Sequence, residues 1–169
     1  MAIKPIQIVP DPVLRKMAEP VEIITDETKQ MLDDMAQTMY DAPGIGLAGP
    51  QIGALKRLIV MDCSRDDEAD ELWQMINPEI THFSEETALL EEGCLSIPGH
   101  NAEVTRPAWV ELRFLDIKGE AQQIKAEGLL AACVQHEIDH LNGVLFIDHI
   151  SKLKRDIIWR KMLKESRQS

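Results

Sequence analysis

The run His136-Glu137-Ile138-Asp139-His140 constrains this chain more than any other segment. Side chains four apart in an α-helix share one face, so the two imidazoles can hold a single metal ion. Glu137 lies one position along, placed to handle a proton from water rather than to serve as a third ligand. That is the H-E-x-x-H pattern of metal-assisted hydrolysis. The preceding Leu129-Leu130-Ala131-Ala132-Cys133-Val134 is nearly all apolar, which buries the helix. Buried imidazoles and carboxylates need partners. Two satisfied core histidines are the plain alternative.

A third donor decides which kind of site this is. The extended motif H-E-x-x-H-x-x-G-x-x-H is met at Gly143 but reads Phe146 where its last ligand belongs. His149 lies three residues too far along, and Glu165 stands in a charged tail, a poor place for a buried ligand. Cys94 remains, in Glu91-Glu92-Gly93-Cys94-Leu95-Ser96. A thiolate with two imidazoles makes a three-ligand site with an open fourth position. Alone, Cys94 reads as a small buried side chain; beside the histidine pair, the ligand reading prevails.

At 169 residues and 44% hydrophobic, the chain suits one well-buried domain over 1–169. Charges interrupt every apolar stretch, so no membrane span is expected. The start, Met-Ala-Ile-Lys-Pro-Ile-Gln-Ile, has neither the apolar core of a signal peptide nor the bias of a transit peptide. Cys63, Cys94 and Cys133 are an odd number in unrelated settings, which argues for a reducing cytoplasm. The net charge of −11 argues against DNA and general nucleic-acid binding, but it is uneven. Residues 151–169 hold seven Lys/Arg against two Asp/Glu, a tail suited to an anionic surface, RNA included, or simply a solvated helix face.

Periodicity predicts a helix over 25–40, capped by Thr25 or Asp26, with Met31, Leu32, Met35, Ala36 and Met39 on its buried face. Strands are expected at 58–61, around 72–76 and 86–90, at 109–115, where Val110, Leu112 and Phe114 alternate with polar residues, and near 121–126. The acidic stretch 62–71 reads as a solvated loop. The metal helix runs from Glu127 to Leu141 with Gly143 as C-terminal cap. Ser151 caps a last helix, about 151–166, whose apolar positions are Leu153, Ile157, Ile158 and Met162. Strands grouped before a central helix imply an α+β fold: antiparallel strands packed around the metal-binding helix, flanked by an N-terminal and a C-terminal helix.

Three motifs in this order resemble those of bacterial peptide deformylases of the type 1 group: Gly44-Ile45-Gly46-Leu47-Ala48-Gly49-Pro50-Gln51, Glu92-Gly93-Cys94-Leu95-Ser96 and Gln135-His136-Glu137-Ile138-Asp139-His140. The resemblance covers roughly Ile3 to Ile150. It implies an enzyme that removes the N-formyl group from the initiator methionine of nascent polypeptides and releases formate. It also implies one divalent metal held by Cys94, His136 and His140, natively Fe²⁺ in much of the family and replaceable by Zn²⁺, Ni²⁺ or Co²⁺. Glu137 is then the general base, and the Gln51 amide and the Leu95 backbone N–H face the charge that builds on the formyl oxygen.

The resemblance places Ile45, Leu90, Leu129, Ala132 and Cys133 around the methionine side chain. Ile45, Gly46 and Gly93 offer backbone groups to an extended substrate. Glu92 and Asp139 are expected to orient ligands or to pair with Arg106. Gly49 replaces a common alanine, a change expected to loosen the loop before Gln51. Where some relatives carry a substrate-contacting arginine, this chain reads Gly99-His100-Asn101. The basic C-terminal helix resembles one by which some deformylases dock on the ribosome. The alternatives are a related metallohydrolase acting on another N-acyl peptide, and a metal-binding paralogue without catalysis.

Overall fold

The computed structural model describes residues 2–168. Its first helix, α1 (Asp26–Asp41), begins where Thr25 and Thr28 cap each other reciprocally. The expected methionine-rich face is the buried one: Leu32, Met35, Ala36 and Met39 pack on Leu47, Leu58, Val60 and Ile76. Those partners belong to the short strand β1 (Gly46–Ala48), to β2 (Leu58–Met61) and to β3 (Trp73–Phe83). With β6 (Trp109–Leu115) and β7 (Ala121–Glu127) they form an antiparallel sheet in the order β1-β2-β3-β6-β7. A separate two-stranded sheet pairs β4 (Thr87–Cys94) with β5 (Ile97–Pro107).

The metal helix, α2 (Gly128–Leu141), packs across the large sheet. It buries Val134, Ile138 and Leu141 against Ile59, Met75, Val110 and Leu112. Asn142 and Gly143 end it, with Gly143 at positive φ. His136 and His140 turn instead toward the end of the β4–β5 hairpin, which closes at Leu95-Ser96 just after Cys94. One helix thus joins the sheet core to the hairpin that brings the thiol.

The structure departs from the sequence expectation in several places, and β3 runs on to Phe83 where a strand was expected only around 72–76. β5 lay outside the expected strands because Pro98, Gly99 and Asn101 are turn formers by local rule. Pairing with β4, from Thr87↔Pro107 to Gly93↔Asn101, overrides that preference. β1 was hidden inside a Gly-rich loop and exists because Gly46, Leu47 and Ala48 pair with Met61, Val60 and Ile59. In the last helix, α3 (Lys152–Gln168), Ile158 and Met162 are buried, but Leu153 and Ile157 are exposed. Only one narrow stripe of α3 meets the protein, against Leu14, Val104 and Phe146.

Candidate metal centre and its cavity

The donor atoms of Cys94, His136 and His140 all lie within 4.8 Å of one another. Cys94 Sγ is 3.3 Å from His140 Nε2. Two elements distant in sequence make this meeting: the last residue of β4 and one face of α2. His136 Nδ1 is 2.9 Å from Glu92 Oε1, which commits that nitrogen and leaves the other ring nitrogen for an ion. His140 Nδ1 is buried with no partner among the described residues. A soft thiolate with two imidazoles suits several first-row cations, so the residues fit a divalent metal. His149 and Glu165, the rejected ligands, are engaged elsewhere, with Asp139 and His100 respectively.

Electrostatics divide the two imidazoles. Burial opposes charge on His136, but its contacts with Cys94 and Glu92 outweigh burial and raise its pKa well above the ordinary value. Burial and the neighbouring His136 charge push His140 well below its usual range. Glu92 is also buried, yet His136 and Arg106 hold its carboxyl below the usual value. Arg106 grips Glu92 through two bonds of 2.6 and 2.9 Å and reaches Asp139 at 2.9 Å. The pairing of Glu92 and Asp139 through Arg106 is present as the sequence suggested.

Glu137 is treated differently. It is 4% exposed, its Oε1 has no partner among the described residues, and burial pushes its carboxyl up to about 7. Its other oxygen lies over Gly46, where an added Cβ would strike Glu137 Oε2 and Cys133 Sγ. Only glycine lets β1 come this close. A carboxyl poised near neutrality and left unbonded suits proton transfer.

These groups open on a cavity of about 640 Å³. Gln51, Cys94, Leu95, His136 and Glu137 line it, as do all seven expected substrate residues: Ile45, Gly46, Leu90, Gly93, Leu129, Ala132 and Cys133. His140 sits behind the wall. Ile45, Leu90 and Leu129 are 45%, 36% and 49% exposed and give the cavity an apolar rim. Gln51 is 1% exposed; its Oε1 accepts the Ala48 N–H at 2.9 Å. That anchor aims Nε2 at Ser96 Oγ (3.1 Å) and Cys94 Sγ (3.6 Å).

Sequence reasoning gave no role to Ser96, which orients Gln51, nor to the N-terminal Ile6 and Ile8 on the cavity rim. The Ser96 signal was adjacency to Cys94. Ile6 and Ile8 gave none, because their place depends on the chain crossing the site through Gln7 N–H to Gln51 O (2.6 Å) and Val9 N–H to Ser96 O (3.0 Å). Gly49 does not leave a loose loop: an added Cβ would meet the Ala54 and Lys56 carbonyls at 2.6 Å. Asn101 lies across from Gly93 in the hairpin register.

The family model described as polypeptide deformylase matches residues 3–156. A peptide deformylase of Rhizobium meliloti is 54% identical over 167 residues, 99% of this chain and 96% of that protein. One from Mesorhizobium japonicum is 55% identical, covering 97% and 93%. Among solved structures, the peptide deformylase of Ehrlichia chaffeensis in complex with actinonin is similar at a TM-score of 0.94. It is 40% identical and covers 99% of both chains. That of Legionella pneumophila gives 0.91 at 46% identity, covering 99% and 97%.

Proposed function

The chain belongs to the polypeptide deformylase family, and from that footing we propose the part each of its residues plays. The enzyme removes the N-formyl group from the methionine that begins nascent polypeptides, and formate is released. Cys94, His136 and His140 hold the divalent cation, which when bound supplies Lewis-acid activation of water and of the formyl oxygen. Resemblance to the family supports Fe²⁺ as the native ion, with Zn²⁺, Ni²⁺ or Co²⁺ as substitutes; the donor set itself accepts each of them.

Glu137 takes a proton from the attacking water and delivers it to the departing amine nitrogen. Its raised carboxyl pKa, about 7, supports both steps, because such a group is neither held as anion nor locked as acid. Negative charge on the formyl oxygen is met by Gln51 Nε2 and by the Leu95 backbone N–H. Gln51 is already fixed through Ala48, so its amide plane is set beforehand and Nε2 need only exchange its long contact with Cys94 Sγ for the oxyanion. Leu90, Leu129, Ala132, Cys133 and Ile45 enclose the methionine side chain, while the backbones of Ile45, Gly46 and Gly93 dock the substrate as a short added strand. An acetyl group carries a methyl where formyl carries hydrogen, so a tight wall around the reacting carbon would reject it by overlap; the close approach of β1 to Glu137 at Gly46 supports such a wall.

The core over about 3–150 and the basic helix work as one unit in the cytoplasm. Three thiols without a disulfide support that compartment; among the described residues no helix is long and apolar enough to cross a membrane. Lys152, Lys154, Arg160, Lys161, Lys164 and Arg167 of α3 are exposed, which supports contact with ribosomal RNA.

The observation that best supports the catalytic roles is the unbonded, buried Glu137 carboxyl beside three converging donors in a cavity with an apolar rim. The test is formate release from formyl-Met-Ala-Ser, with the acetyl analogue and an internal peptide bond as controls. Turnover of the formyl peptide alone is expected, and Gln51→Leu should lower kcat by about 10²–10³. Equal turnover of the acetyl peptide would defeat the steric account.

A further inference from the structure

Two of the three thiols, Cys63 and Cys133, lie outside the metal centre. One follows β2 and the other is inside α2, yet both pack in the same apolar cluster. The Ile45 carbonyl ties them together: it accepts the Asp62 backbone N–H at 2.9 Å and Cys133 Sγ lies 3.6 Å from it. Cys63 is the residue after Asp62. The Cys133 S–H donates to the Ile45 carbonyl, and the Cys63 thiol packs against the cluster that holds it. Contact with Cys133 lowers the Cys63 thiol pKa despite burial and the nearby acids, and the Cys133 thiol is pushed well above its usual value. Access is unequal too. Cys63 is half-buried, whereas Cys133 is 5% exposed. A reachable thiol in front of a covered one is the arrangement of an attacked and a resolving sulfur.

We propose that Cys63 and Cys133 form a redox-sensitive pair whose disulfide reshapes the methionine slot. The oxidant class is a peroxide. The Cys63 sulfur attacks one peroxide oxygen and the O–O bond breaks; the departing hydroxide takes up the Cys63 proton and leaves as water, and a sulfenic acid remains at Cys63. The Cys133 sulfur then attacks the Cys63 sulfur; the S–S bond forms, the S–O bond breaks, and the Cys133 proton departs with the hydroxyl as water. The two thiols lose two electrons and hydrogen peroxide becomes two waters. Exchange with an excess dithiol reverses the change.

The consequence for substrate follows from packing. Cys133 lines the cavity, and its Sγ would lie 2.9 Å from a Cβ at Gly46, so β1 and the sulfur have no slack between them. Drawn toward Cys63, the Cys133 sulfur leaves the Ile45 carbonyl and moves the slot wall. This effect on turnover rests on the deformylase reading; the disulfide itself does not.

The test uses the full chain loaded with Zn²⁺, which has no redox chemistry of its own and occupies Cys94. After hydrogen peroxide, thiols are counted in denaturant and the linked peptides are mapped. The count is expected to fall from three to one, with Cys63 joined to Cys133. The kcat/KM for formyl-Met-Ala-Ser should fall about tenfold and recover with dithiothreitol. Cys63→Ser, and Cys63→Ala as a second variant, should keep basal turnover and escape the loss. No linked peptide, a link through Cys94, an unchanged kcat/KM in the linked protein, or equal loss in both Cys63 variants would overturn the proposal. Failure of the deformylase reading is separate: it shows as no turnover before peroxide is added.

Discussion

His136 and His140 stand one turn apart on α2 and are held in opposite ways. Behind His136 runs an unbroken relay: Glu92 at 2.9 Å, then Arg106, then Asp139, then His149 Nε2 at 2.8 Å from Asp139. Behind His140 the hydrogen bonding stops: its Nδ1 is buried without a partner among the described residues, as is Oε1 of neighbouring Glu137. Leaving such an atom unmet costs about 1–3 kcal/mol. A chain shaped for stability alone would have closed both gaps, as it closed the His136 side. On the proposed roles, complete bonding falls on the part of the helix that fixes geometry and open valence on the part that works.

Breaking the open side should give the largest effect. Glu137→Ala is expected to lower kcat by about 10²–10⁴, with metal per chain unchanged by elemental analysis because the three donors are intact. Retained turnover would erase the distinction drawn between the two sides. Breaking the closed side should give a smaller and different effect. Glu92→Gln keeps the shape but removes the charge between His136 and Arg106. Metal affinity is expected to fall about 10–100-fold, read by competition with a chelator, while the loaded enzyme keeps its kcat. Normal affinity with lost kcat would move Glu92 from positioning into the chemistry itself.

The same contrast governs how much could be read in advance. α1, β2, β6 and α2 follow from residues within a few positions of one another: Thr25 before a methionine face, Val110 alternating with Glu111, His136 one turn from His140. The candidate donors were legible because H-E-x-x-H is itself a helical spacing, and Cys94 because a second motif surrounds it. β1 and β5 were not legible, since their strand character comes from partners elsewhere in the chain. The relay's far end at His149 was equally hidden: the residue was weighed only as a ligand, and a side chain ten positions from Asp139 advertises no bond to it. Ile6 and Ile8 reached the rim by chain path alone.

Arg15 and Asp148 supply a third arrangement, bonded like the His136 side but lying at the surface and away from the cavity. Two guanidinium contacts of 2.6 and 3.1 Å join them, and Asp148 also accepts the Leu145 N–H at 3.0 Å. Burial acts to raise the Asp148 carboxyl, but Arg15 and the Leu145 N–H outweigh it and hold the pKa below the usual carboxylate range. A carboxylate depressed in the folded state stabilises fully above its unfolded value, about 3.9. That contribution is lost as pH falls through the lower, folded value. Asp148→Asn should therefore cost about 0.5–1 kcal/mol near pH 7, discounted for the partly exposed partners. The matching shift in Tm is about 2 °C, and the difference between variant and parent should vanish in strong acid. Metal affinity and kcat should not move. If instead Asp148→Asn changed metal affinity as much as Glu92→Gln does, bonding completeness would no longer separate what fixes the metal centre from what merely fastens the chain around it.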